Sequence, residues 1–166
     1  MADKELRGLH KATVTKDMVD YNGHLNVAYY VQVFDGSTDA FMDVIGLTAE
    51  RRQRGGNTLF TVEGHITYQK EVHLGDELTC DVRLLGFDEK RLRFISTMLK
   101  EPEGFVAATM EWLHIHVDLP TRKVVPMPDD VLEELTVIMA QHEQLEWPAE
   151  AGRAIERPTG RAVKQP

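Results

Sequence analysis

Between Val27 and Ile45 the apolar residues Val27, Tyr30, Val31, Phe34, Phe41, Met42 and Ile45 recur at spacings of three, four or seven. That is one face of a helix with 3.6 residues per turn, so the pattern predicts a single long, buried helix. Asn26 suits its N-cap and Gly46 its C-terminal stop. Upstream, about Leu9 to Val14 predicts a short first strand. Downstream, ERRQRGGN is polar and broken by glycine, which predicts a loop. Four stretches rich in β-branched, aromatic and alternating residues then predict strands at Thr58–Tyr68, Glu77–Gly86, Lys90–Lys100 and Phe105–Val117. Their connections, HLGDE, FDEK and EPEG, are short enough for hairpins between antiparallel neighbours. After Pro126 and Pro128, with Asp129 as cap, Val131, Leu132, Leu135, Ile138, Met139 and His142 repeat at helical spacing and predict a second helix to about Glu143. The fold class is α+β, one long helix packed on a curved antiparallel sheet.

At 166 residues and 42% hydrophobic content the chain supports one domain with a real core. We assign that domain to 1–145. Residues 146–166, with three prolines, two glycines and no apolar periodicity, are expected to form an extended or partly disordered arm, in which Trp147 and Ile155 are candidate anchors to a neighbour. A net charge of −8 argues against nucleic-acid binding, which needs a dense basic patch. Cys80 is the only cysteine, so no intrachain disulfide and no cysteine-rich zinc site can form. MADKELRGLH lacks an apolar signal core and no run approaches a membrane span, so a cytoplasmic location with no membrane partner is expected.

The candidate chemistry starts in DYNGHLN, residues 20–26, immediately before the long helix. Gly23 can adopt a positive φ and fold Asp20 back toward the helix N-terminus, where unpaired N–H groups and the positive dipole end favour an oxyanion. Asp20 can then serve as base or nucleophile, but aspartate before glycine is equally a common turn former. His24 either donates to a carbonyl or supports the turn, and Asn26 acts indirectly by fixing the backbone. Asp35 and Asp39, one helical turn apart, could supply a second carboxylate or form a solvated face. His114 and His116 share one face of a strand, but no third metal ligand follows at a suggestive spacing, so no metal is expected. Lys90, Arg91 and Arg93, and earlier Arg51, Arg52 and Arg54, are candidate phosphate binders whose alternative is a solvated loop. Sequence signatures of P-loop, Rossmann, serine-hydrolase and zinc-peptidase sites are missing.

With Asp20, Gly23, His24, Asn26 and a following Tyr29 or Tyr30, and with HITYQKEVHLGDEL carrying Tyr68, Gly75 and Asp76, the sequence resembles the hotdog-fold acyl-CoA thioesterases of the 4-hydroxybenzoyl-CoA thioesterase type over about residues 9–140. The resemblance implies a long helix wrapped by about five antiparallel strands. It also implies a homodimer or tetramer with interfacial sites, Asp20 as the catalytic carboxylate, and the N–H of His24 or a neighbour on the thioester carbonyl. No cofactor is implied, because the CoA ester is the substrate. GHLN, FDGSTDAFM, LLGFDEKRL and HVDLPTRKVVPMP are similar, more narrowly, to the betainyl-CoA thioesterases of carnitine degradation. That likeness implies a quaternary ammonium held by aromatic faces and acids, for which Tyr30, Phe60, Tyr68 and Trp112 are the candidates, each with core packing as its alternative. Fatty or aromatic acyl-CoA hydrolysis, a non-catalytic acyl-CoA-binding module and a dehydratase-type hotdog enzyme are the competing expectations.

Overall fold

The computed structural model describes residues 6–156. Its elements are β1 (His10–Thr13), a 3-10 turn at Lys16–Met18, α1 (Val27–Val44), α2 (Ala49–Gly55), β2 (Asn57–Tyr68), β3 (Glu77–Phe87), β4 (Arg91–Glu101), β5 (Phe105–Asp118), β6 (Lys123–Val124) and α3 (Asp129–His142). The strands form one antiparallel sheet in the order β1-β3-β4-β5-β2, with the short β6 added to β5. FDEK and EPEG are hairpins, as expected. HLGDE is not: β2 and β3 are separated by β4 and β5, so the segment 69–76 crosses the end of the curled sheet.

Residues paired across an antiparallel ladder point to the same face. The inner face is therefore Leu78, Cys80, Val82 and Leu84 of β3 with Phe94, Ser96 and Met98 of β4 and the even-numbered residues 108–116 of β5, all buried. Against it α1 lays Tyr30, Val33, Phe34, Ser37, Thr38, Phe41 and Met42. Phe41 meets Phe94 edge-on with centroids 5.1 Å apart. Ser37 donates to the Phe34 carbonyl at 2.7 Å and lies 3.0 Å from Ser96 Oγ, which satisfies two buried hydroxyls in the middle of the core. Val27 and Val31, read from spacing as part of the buried stripe, are 59% and 37% exposed. They lie on the helix flank, and the true stripe runs through Val33, Ser37 and Thr38, two of which are small hydroxyl residues that a hydropathy pattern passes over.

The segment expected to be a loop at 50–57 is instead α2. Thr48 caps it by accepting from Arg51 N at 3.2 Å, and Gly56 ends it in the left-handed conformation at φ +68°. Pro128 rather than Asp129 occupies the N-cap of α3, with Asp129 in the first turn. α3 covers the part of β3 beyond the end of β1, where His142 Nδ1 accepts from Leu84 N at 2.9 Å. Residues 146–156 pack on the outer face: Ala151 joins Leu85 and Ile95, and Arg83 donates to the carbonyls of His142, Leu145 and Glu146, each at 2.8 Å. The remainder of the arm, 157–166, lies outside the described residues.

Candidate active site

The DYNGHLN segment folds into a tight turn. Gly23, at φ +79°, lets its N–H donate to the Asp20 carbonyl at 3.0 Å, while Asp20 N donates to the His24 carbonyl at 2.9 Å. The Asp20 carboxylate accepts through Oδ1 from Asn22 N at 2.8 Å and from His24 N at 3.2 Å. Oδ2 has no hydrogen-bond donor among the described residues. The turn reading of Asp20 therefore holds, and its backbone amides bind one carboxylate oxygen while leaving the other without a donor among the described residues. Asn26 caps α1 as expected, its Oδ1 accepting from Ala28 N at 3.0 Å.

The N–H of His24 is committed to the Asp20 carboxylate, and those of Gly23, Leu25 and Asn26 donate to Asp20, Val72 and Met18 carbonyls. Val27, the first residue of α1, is the nearest residue after the turn whose N–H has no acceptor among the described residues. The oxyanion donor expected at His24 is therefore taken. The His24 ring instead meets the His73 ring edge-on, centroids 4.8 Å apart, and its Nε2 lies 3.5 Å from Glu71 Oε2. Sequence spacing gave no reason to join these three. His24, Glu71 and His73 converge because the crossover 69–76 runs beside the turn, with Leu25 N donating to Val72 O at 2.9 Å.

The four aromatic candidates divide. Tyr30 and Tyr68 meet edge-on at 5.2 Å, next to the crossover. Burial raises the Tyr30 phenol above its ordinary value; a hydrogen bond with the Val72 backbone opposes this, while the Glu71 charge and Tyr68 add to it. Trp112 is enclosed in the core. Phe60 pairs with Ile115 on the outer face, beyond a bulge between Thr61 and Glu63, with the Arg122 guanidinium 5.2 Å from its ring. Within one chain it cannot share a cage with the other three.

The basic candidates also separate from Asp20. Lys90 and Arg91 lie at the β3–β4 hairpin, whereas Asp20 sits beside the Glu101 end of β4, a strand of 11 residues spanning roughly 35 Å. Arg91 is paired with Asp88 at 2.6 Å and Arg93 with Glu111 at 2.5 Å, and Glu111 in turn accepts from Gly152 N at 2.6 Å. The Lys90 ammonium has no partner among the described residues. Arg51 grips Asp130 through two bonds of 2.6 and 2.9 Å, Arg52 donates to the Leu47 carbonyl at 2.6 Å and approaches Asp39, and Arg54 pairs with Glu50. Arg51 and Arg52 tie α2 to the rest of the fold, whereas the Arg54–Glu50 pair lies within the helix itself. Asp35, raised by desolvation and by Asp39, faces outward on α1.

His114 and His116 share a face, as expected, but each ring is enclosed. His114 Nε2 lies 2.9 Å from Thr61 Oγ1, and His116 Nδ1 lies 3.1 Å from the Val125 carbonyl. The lone thiol of Cys80 is buried, which pushes it up to about 12 and leaves it unreactive.

The sequence model of the thioesterase-like superfamily matches residues 14–135. Betainyl-CoA thioesterase of Pseudomonas aeruginosa is 35% identical over 90% of this chain and 94% of its own length. L-carnitine dehydrogenase/betainyl-CoA thioesterase of Agrobacterium fabrum is 43% identical over 86% of this chain, which spans only 29% of that longer protein. A Staphylococcus aureus protein solved in complex with CoA superposes with a TM-score of 0.83 at 31% identity, covering 90% of this chain and 94% of that one. No helix among the described residues is long and apolar enough to cross a membrane. A matching superfamily model, a relative matched over nearly its whole length and a shared architecture agree: the chain belongs to the thioesterase-like superfamily.

Proposed function

We propose that this chain hydrolyses a small acyl-CoA to the free acid and CoA, with betainyl-CoA as substrate and glycine betaine as product. The observation that carries the chemistry is the Asp20 carboxylate, held by Oδ1 and with no donor to Oδ2 among the described residues, in the turn that leads into a helix whose first N–H, on Val27, has no acceptor among them. As general base, Asp20 takes a proton from water, the hydroxide adds to the thioester carbonyl, and the C–S bond breaks to release CoA thiolate, which is then protonated. As nucleophile, the Asp20 carboxylate adds to the carbonyl carbon and expels CoA thiolate as the C–S bond breaks; the resulting mixed anhydride is cleaved by water to the free acid and the regenerated carboxylate, and the thiolate is protonated. In both routes the Val27 N–H and the positive helix end receive the carbonyl oxygen as charge develops on it. The betainyl assignment rests on the relatives that carry that name at 35–43% identity.

The same reading makes the working unit a homodimer joined through the open edge of β2, in the cytoplasm. Antiparallel pairing of two β2 edges places the Tyr68 end of one strand beside the Asn57 end of the other. The second end carries Phe60 and, across β5, the Lys90–Arg91 hairpin. The partner subunit's Lys90 and Phe60 are thereby brought toward the Asp20 site of the first subunit, which within one chain lies at the opposite end of the sheet from Lys90 and Phe60, and Lys90, with no partner among the described residues, is the cation to meet a CoA phosphate.

The test is thiol release from betainyl-CoA, an uncharged isostere, a short fatty acyl-CoA and 4-hydroxybenzoyl-CoA, with Asp20→Asn alongside. Betainyl-CoA is expected to be preferred, and Asp20→Asn to lose at least about 100-fold in kcat with an unchanged melting temperature. Retained turnover in Asp20→Asn moves catalysis elsewhere, and saturable binding without thiol release from any ester converts the protein into a binding module.

A further inference from the structure

Deepening the betainyl reading on which it rests, we propose that Glu71, with the exposed ring of Tyr68, forms the subsite that selects a quaternary-ammonium acyl group. In a betainyl thioester the cationic nitrogen is two bonds from the carbonyl carbon, about 2.5 Å away. The group that recognises it must stand within a few ångströms of the carbonyl that Asp20 attacks.

Three observations place Glu71 there. First, its carboxylate is one residue from the Asp20 turn: Asp20 Oδ1 holds His24 N at 3.2 Å, and the other end of the same histidine, Nε2, lies 3.5 Å from Glu71 Oε2. The span from carboxylate to carboxylate through His24 is at most about 12 Å, which fits a carbonyl carbon at one end and a trimethylammonium at the other. Second, Glu71 faces no lysine or arginine among the described residues, and its side chain is 72% exposed. Asp76, the other carboxylate on the crossover, is already engaged, accepting from His73 N at 2.8 Å and lying 3.8 Å from Lys100 Nζ. Third, Tyr68 is 48% exposed and fixed at 5.2 Å against the buried Tyr30, so it presents a rigid aromatic surface on the side of the crossover that carries the exposed Glu71 carboxylate. A quaternary ammonium cannot donate a hydrogen bond; an aromatic face and a nearby exposed carboxylate with no lysine or arginine against it are what attract it.

The discriminating measurement is kcat/KM for betainyl-CoA and for 3,3-dimethylbutanoyl-CoA, in which carbon replaces the charged nitrogen at the same shape. Wild type, Glu71→Gln, Glu71→Asp and Tyr68→Leu are compared. Glu71→Gln is expected to lower the ratio of betainyl to isostere by about tenfold, Tyr68→Leu by a few-fold, and Glu71→Asp to keep most of the ratio. Equal losses on both esters in Glu71→Gln, or no change in the ratio, would overturn the assignment. His24, Glu71 and His73 together also have the composition of a divalent-cation site. Betainyl turnover abolished by EDTA and restored by Zn2+ would therefore overturn it in favour of a metal. A wild type that hydrolyses the isostere but not betainyl-CoA defeats the substrate reading itself, an outcome separate from any effect at Glu71.

Discussion

At Asp20 the observed turn and the proposed reactivity are compatible in a single geometry, because the backbone amides of Asn22 and His24 bind only one carboxylate oxygen. His114 shows the opposite use of a titratable group. It is 2% exposed, stacked at 5.2 Å on Phe94 and 5.6 Å from the Trp112 ring centroid, and burial lowers its pKa from 6.5 to about 4. The native ring is neutral where the unfolded chain binds a proton. Its contribution is thus fully present above pH 6.5 and is lost as pH falls toward about 4, an amount of about 3 kcal/mol at 1.4 kcal/mol per unit. In His114→Gln, urea unfolding followed across that window should show a flatter dependence on pH than wild type. An identical slope would assign the acid loss to other groups. Alternation along β5 was enough to place His114 on one face with His116, whereas Thr61 as its partner depends on a bulge that sequence does not announce.

Among the elements, α1 and the four long strands were legible to within one residue at most ends, because Asn26, Gly46 and the two hairpin loops punctuate a strong apolar pattern. α2 was not. Its glycines imitate a loop, and beyond the local Thr48 cap the helix is held by tertiary ion pairs, Arg51 on Asp130 and Arg52 near Asp39. Glu71 and His73 were missed for a related reason: HLGDE has the length of a hairpin, and only the strand order reveals it as a crossover running past His24. Where α1 crosses β1, an added Cβ on Gly36 would lie 2.5 Å from the His10 ring. Helix propensity alone favours Gly36→Ala by about 1 kcal/mol, but the tip of the His10 ring occupies the place of the new methyl and must turn away from α1, so the variant is expected to be less stable by about 1 kcal/mol. A raised melting temperature would show that His10 swings aside freely.

At the scale of the molecule, β2 is a 12-residue edge strand with Val62 half exposed at its bulge, a surface that natural proteins rarely leave unpaired. Light scattering should give twice the 18.9 kDa chain mass, and Val62→Lys, which sets like charges near the two-fold axis, should shift the species toward monomer and reduce turnover together. A monomeric wild type with full activity would remove the partner's Lys90 and Phe60 from the site. The arm on the outer face carries one last consequence. The chain has two tryptophans, Trp112 sealed in the core and Trp147 on the arm, 54% exposed with the Arg93 guanidinium 5.9 Å from its ring. The protein's intrinsic fluorescence is therefore the sum of two reporters in different surroundings, one blind to solvent until the sheet opens and one that registers release of the arm while the sheet remains intact.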